Sequence, residues 1–246
     1  MSCKCNYCIE EEEKELLRAS LRILRDPSAS TVPSLQETVL EVGLAIENGL
    51  DDDGGIFYTQ NDFKEEIFSA QVVSDIMTAV KATKGDNGDY SPEFCTKVAW
   101  TLYTLIKETP ELAEAVYAHG GVDFATEAVD MHPSFESLVV ISIAFITGVF
   151  SIRVPPEALA LAFLDKVLAA MEIHHDTCDY NLFSWFCNVL CVSFTNGCDM
   201  PVHAYASVVR FLLHGITKHR DEEEAQFTGR KLLRAFLGPQ MGPTDD

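Results

Sequence analysis

The first eight residues, MSCKCNYC, put three thiols, Cys3, Cys5 and Cys8, close together. Three thiolates are a soft donor set suited to Zn²⁺ or Cu(I), but a closed zinc site takes four ligands and no fourth lies nearby. The same thiols are candidates for thioester acylation, although residue 2 is Ser2 and not the glycine that N-myristoylation requires. A second donor-rich stretch, IHHDTCD over 173–179, brings His174, His175 and Cys178 near Cys187, Cys191 and Cys198. His174 and Cys178 are one helical turn apart, as are Cys187 and Cys191. Cys187 and Cys191 nevertheless fall on the apolar face of their segment, where a free cysteine acts as a small hydrophobe. His174 and His175 stand where a helix should end, a place that favours histidine through the helix dipole. The stretch therefore reads as buried thiols and surface histidines. No metal and no cofactor is expected.

GLDDDGGIFYTQ, residues 49–60, has part of the acid spacing of an EF-hand loop. With Gly54 as the turn glycine, Asp51 and Asp53 take the third and fifth positions and Ile56 the apolar eighth. Gly49 and Gln60 then stand where the terminal carboxylates belong, so the stretch reads as an acidic loop and not a calcium site. The chain contains no Gly-rich phosphate cradle, no G-x-S-x-G elbow and no H-E-x-x-H. Its bunched carboxylates, EEEE at 10–13, DDD at 51–53 and DEEE at 221–224, are solvated runs and not acids confined to a cleft. The protein is read as no enzyme. The alternatives are a metal-binding or catalytic subunit using His174, His175 or a thiol, and a membrane-tethered scaffold acylated at Cys3, Cys5 and Cys8.

A formal charge of −20, from 38 acidic and 18 basic residues, repels phosphate backbones and anionic lipid. Nucleic acid is thereby excluded as a partner, membrane is expected only through acylated cysteines, and basic or apolar peptides are favoured. A hydrophobic fraction of 47% supplies a continuous core, and the mean hydropathy of +0.06 is too high for a disordered chain. The start lacks a secretory h-region. The longest nearly apolar run, Leu138 to Ile152, falls short of the roughly 20 residues a spanning helix needs and reads as a helix buried on all sides. Eight cysteines without a signal peptide point to reduced thiols in the cytoplasm, or in the nucleus.

These residues have to be positioned by helices, because nearly every periodic segment has the helical period. EKELLRASLRILRD places Leu17, Leu21 and Leu24 on one face, with Lys14, Arg18, Arg22 and Arg25 on another. PSLQETVLEVGLAIENG follows, then FKEEIFSAQVVSDIMTAVKAT over 63–83 and EFCTKVAWTLYTLIKE over 93–108. ELAEAVYAHGGVDFATEAVDMHP repeats the third of these patterns: Ile67 aligns with Val116, Val73 with Val122 and Val80 with Val129. Two further helix pairs complete the chain. Self-similarity at a period of roughly 40 to 50 residues is the mark of a helical array.

AVYAHGGVDFATEAVDMHPSFESLVVISIAFI resembles an armadillo repeat, with Glu111 to His119 as its first helix, Val122 to Met131 as its second and Phe135 to Phe150 as its third. Within this reading one glycine of the pair takes a positive φ and Pro133 stops the second helix. The resemblance, shared with the two-helix HEAT pattern, implies an all-α, right-handed α-α superhelix, an armadillo-like solenoid of about four repeats over 31–238. Residues 1–30 form a Cys-rich tip and capping helix, and 239–246 a disordered acidic tail.

The same resemblance implies that a partner peptide or helix lies along the third helices, on a concave face. In EFCTKVAWTLYTLIKE, residues Cys95, Val98, Ala99, Leu102, Leu105 and Ile106 follow the core period. Thr96, Trp100, Tyr103 and Lys107 lie on the other side at helical spacing. In YNLFSWFCNVLCVSF the corresponding stripe is Asn181, Trp185, Asn188 and Val192, opposite Phe183, Cys187, Leu190, Cys191 and Phe194. An Asn amide pairs with the backbone of an extended ligand, and an aromatic pair supplies contact area. The nuclear-import adaptors of the family carry Asn four residues after Trp. Here Thr104 and Val189 stand there, so recognition of that kind is not expected. The expected function is a cytoplasmic protein–protein adaptor or scaffold.

Overall fold

The computed structural model describes residues 6–48, 65–84, 89–195 and 204–237, and every regular element among them is helical. Contacts divide the chain into two units, Met1–Met131 and His132–Asp246. The first holds α1 (Asn6–Arg25), a 3₁₀ turn (Pro27–Ala29), α2 (Val32–Asn48), α3 (Ala70–Ala82), α4 (Pro92–Glu108), α5 (Leu112–Ala118) and α6 (Gly121–Met131). The second holds α7 (Glu136–Ile152), α8 (Glu157–Ile173), α9 (Tyr180–Thr195), α10 (Ala204–Lys218) and α11 (Glu223–Leu237). The loop at 49–60, Cys3, Cys5, the Cys8 side chain and the tail at 239–246 lie outside the described residues.

Local chemistry sets the helix ends. Ser91 caps α4 by accepting the Phe94 N–H at 3.2 Å, with Pro92 in the first turn where a missing N–H costs nothing. Asp179 does the same for α9, accepting from Leu182 N–H at 2.8 Å. The segment over 63–83, whose pattern the glycine-broken stretch 111–133 repeats, is itself interrupted, at residues 68–69. The helical residues at 65–67 stop there, Ser69 adopts an extended backbone and accepts the Val72 N–H, and α3 starts at Ala70. A serine able to cap wins here over the apolar period running through it.

The two glycines between α5 and α6 have different tasks. Gly120 has φ +83° and is the sole positive-φ residue among those described. Lys81 Nζ donates to the His119 carbonyl at 3.0 Å, engaging an acceptor that the ending of α5 exposes. Gly121 is needed for space, since a Cβ there would stand 2.8 Å from Val116 Cγ1 and 3.1 Å from Val116 O. Gly120→Ala is expected to destabilise the first unit by about 1–2 kcal/mol, the usual cost of a left-handed L-residue, measured by urea denaturation.

Within each unit, helices pack on the next but one. In the first, α1 lies on α3 and α3 on α5, while α2 lies on α4 and α4 on α6. In the second, α7 lies on α9, α9 on α11, and α8 on α10. Each unit is therefore two-layered, with sequence neighbours closing the gap between layers. Apolar stripes meet inside: Leu17, Leu21 and Leu24 of α1, Val72, Val73, Ile76 and Val80 of α3, and Val98, Leu102 and Leu105 of α4 are all buried. Lys14 departs from expectation. It is only 1% exposed, because it precedes Leu17 by three residues and so shares the Leu17–Leu21–Leu24 face.

Candidate partner-binding faces

The phase of α4 follows from its Ser91 cap, and Cys95, Val98, Ala99, Leu102, Leu105 and Ile106 are all buried as their spacing demands. On the other side Trp100 is 41% exposed. Tyr103 is half-buried beside it, with ring centroids 6.1 Å apart and planes tilted by 50°. Partial burial raises the Tyr103 pKa, which keeps the phenol a neutral donor. Lys107 is exposed, whereas the Thr96 hydroxyl is turned onto its own helix, donating to Pro92 O at 2.7 Å.

Sequence reasoning missed the neighbouring contribution of α2. A Cβ on Gly43 would overlap the Thr101 hydroxyl, so α2 and α4 approach closely along that line. On one side of it Val39, Val42 and Ile46 of α2 and Val98, Leu102 and Leu105 of α4 are buried. On the other, Leu40 and Leu44 of α2 and Lys97 and Trp100 of α4 face solvent, Leu44 at 54% exposure. The exposed shoulders of two adjacent helices therefore carry one apolar strip, Leu40, Leu44 and Trp100, with Tyr103 beyond. Exposed Glu37 and Glu41 edge it on α2, and Lys97 and Lys107 on α4. The signal was present in ETVLEVGL: Leu40 and Leu44 are one turn apart and out of phase with Val39, Val42 and Ile46.

In the second unit Asn181 and Asn188 of α9 are exposed and Trp185 is half-buried between them. Phe183, Cys187 and Leu190 fill the opposite face, and Cys191 is half-buried at its margin. The side chains of Val192 and Phe194 lie outside the described residues. The α4 stripe belongs to the first unit and the α9 stripe to the second. Thr104 and Val189, four residues after each tryptophan, are both buried.

The histidine-rich turn corrects the surface reading. His174 is buried at the end of α8, and its Nε2 donates to the Pro133 carbonyl at 3.0 Å. His175 stacks on His214 with ring centroids 4.3 Å apart, while its Nδ1 donates to Asp176 Oδ1 at 3.1 Å and lowers that carboxyl's pKa. Its location at a helix end was legible, but the enclosure came from α10 packing over α8. Between those helices lies a cavity of about 430 Å³ whose lining includes Leu168, Met171, Glu172, His175, Ser207 and Arg210. Ser207 already donates to Glu172 across it at 3.1 Å. Among the described residues no three His, Cys, Asp or Glu side chains converge on a metal position. Burial pushes the Cys95 and Cys178 thiols up to about 12 and Cys187 further, so these thiols stay protonated at neutral pH.

His214 carries a pH consequence. Burial first, then neighbouring His175, Lys218 and His219 against the single attraction of Asp176, lower its pKa below the ordinary 6.5. The unfolded chain therefore takes up a proton that the folded chain refuses. Stability from this group is fully present above pH 6.5 and is lost as pH falls below it. Thermal melts are expected to show Tm falling on acidification, with a shallower fall in His214→Gln.

No protein family, curated protein or solved structure matches this chain.

Proposed function

We propose that this protein is a non-catalytic adaptor, an armadillo- or HEAT-like array that holds a peptide or helix of a partner protein. The single observation carrying this reading is the exposed strip Leu40–Leu44–Trp100 on the shared shoulder of α2 and α4. A large aromatic with two leucines at helical spacing is the kind of anchor that protein interfaces use at their centre. Alternate-helix packing in each unit supports the array, and the right-handed superhelix with a concave binding face belongs to the same proposal. The Asn181–Trp185–Asn188 stripe is assigned as a second contact, its exposed amides aimed at partner backbone. A basic segment fits best given the net charge of −20, and capture should weaken as salt rises. The cytoplasm, or the nucleus, is the proposed compartment.

Affinity capture at low salt with the full chain tests the reading. Trp100→Ala combined with Leu44→Ser should lose the captured protein while melting within a few degrees of the parent, because both side chains sit at the surface. Trp185→Ala should weaken capture less. Unchanged capture by the double variant, or no protein captured by the parent, would overturn the assignment.

A further inference from the structure

In a chain with 38 acidic and 18 basic residues, three arginines line one cleft. Arg18, Arg22 and Arg25 occupy successive turns of α1, and Glu66, Ser69 and Gln71 stand opposite, on the approach to α3 and in its first turn. The cleft has a volume of about 240 Å³. Two of the arginines are held in place. Arg25 Nε and Nη2 donate to Asp75 Oδ2 at 3.1 and 3.0 Å, and Arg18 donates to Glu15 at 2.7 Å and to Glu66 at 3.1 Å. Asp75 is itself buried, and Gln71 Nε2 engages its second oxygen at 2.7 Å. Arg22, between them in sequence, is exposed and makes no hydrogen bond or ion pair among the described residues. Glu66 lines the cleft, and Glu15 and Asp75 pair with Arg18 and Arg25 from beside it, so Arg22 is the cation of the three left to a ligand.

We propose that this cleft receives a phosphomonoester borne by a partner peptide, with Arg22 as its principal ligand and the ion-paired Arg18 and Arg25 supplying further N–H donors beside it. A phosphorylated Ser, Thr or Tyr brings about −1.5 to −2 charge and three strong acceptor oxygens, and the planar guanidinium fork matches them bidentately. The rest of the chain decides between sources of phosphate. A net charge of −20 repels an anionic bilayer or a nucleic-acid backbone, both of which extend over many Debye lengths of about 8 Å each. A compact dianion on an otherwise basic peptide meets the arginines locally while the peptide is drawn in by the surrounding acid. The inference rests on the adaptor reading and deepens it: the partner would be basic, phosphorylated and held by the first unit.

The test uses the full chain and titration calorimetry at low salt. The probes are a basic peptide bearing one phosphoserine, its unphosphorylated twin, inorganic phosphate, and phosphatidylcholine vesicles doped with a phosphoinositide. The phosphopeptide should bind about tenfold tighter than its twin, and inorganic phosphate should compete with it. Arg22→Gln should bring the phosphopeptide to its twin's level without moving Tm, because Arg22 supports no other described group. Equal affinity for the two peptides, or an unchanged preference in Arg22→Gln, would overturn the proposal. Vesicles that bind and displace the phosphopeptide would reassign the cleft to lipid. A phosphate preference in a chain that captures no protein would keep the cleft's chemistry and sink the adaptor, whereas capture sensitive to Trp100 but indifferent to phosphate would do the reverse.

Discussion

Phe183→Ala is expected to cost the second unit about 3–5 kcal/mol, the largest loss of any single substitution considered for it. The ring is fully buried. Phe211 and His219 stand 5.6 and 5.7 Å from it by ring centroid, and Phe211 also meets Phe186 edge-on at 5.2 Å. The slot it fills is built by two glycines. A Cβ on Gly215 of α10 would overlap the ring, and one on Gly229 of α11 would stand 3.2 Å from its Cζ. Both helices come as close as they do because Phe183 has taken the volume that their side chains would need. Truncation leaves a void walled by backbone, which collapses poorly. Gly215→Val should be destabilising from the opposite direction by about 1–3 kcal/mol, since the ring has nowhere to move. Urea denaturation followed by circular dichroism measures both. A loss below about 1 kcal/mol for Phe183→Ala would mean that α9, α10 and α11 do not meet on this ring.

The second large effect is an asymmetry. Asp75 is 3% exposed, in the middle of α3, while its partner Arg25 is mostly in solvent. Removing the arginine strands a buried carboxylate with Gln71 as its remaining side-chain donor among the described residues, and Arg25→Met should cost about 3 kcal/mol or more. Removing the carboxylate lets the Arg25 head return to water, so Asp75→Asn should cost about half as much. Equal losses would mean that the pair is screened like any surface contact. The double variant should be less damaging than the sum, because the stranded charge is gone.

How far these features could be read from residue order differs by case. The α4 core residues follow a clean helical period with serine and proline at the start and Thr109-Pro110 at the end, so both phase and boundaries were legible. The turn at Gly120-Gly121 was legible too, since few residues other than glycine tolerate that backbone. Lys14 was not, because its charge argued for the polar face while its position argued for the apolar one, and position prevailed. The break before Ala70 was half legible: the stretch shares its pattern with the glycine-broken 111–133, but without a glycine of its own its position rests on Ser69 capping α3. The α2 shoulder was hidden for a different reason. Leu40 and Leu44 look like core leucines until the line of approach through Gly43 and Thr101 shows which side of α2 is covered. His174 was placed at a helix end by sequence, but its burial comes from packing that periodicity does not describe.

Packing on the next helix but one also governs how the chain is made. Every partner that α1 to α6 need within their unit is supplied by residues up to Met131, and most pairings close over only a few tens of residues. Short loops close quickly and at little entropic cost, so folding that relies on them is fast. The pairings within the first unit are therefore all encoded before the greasy stretch Leu138 to Ile152 leaves the ribosome, so their closure does not wait for it.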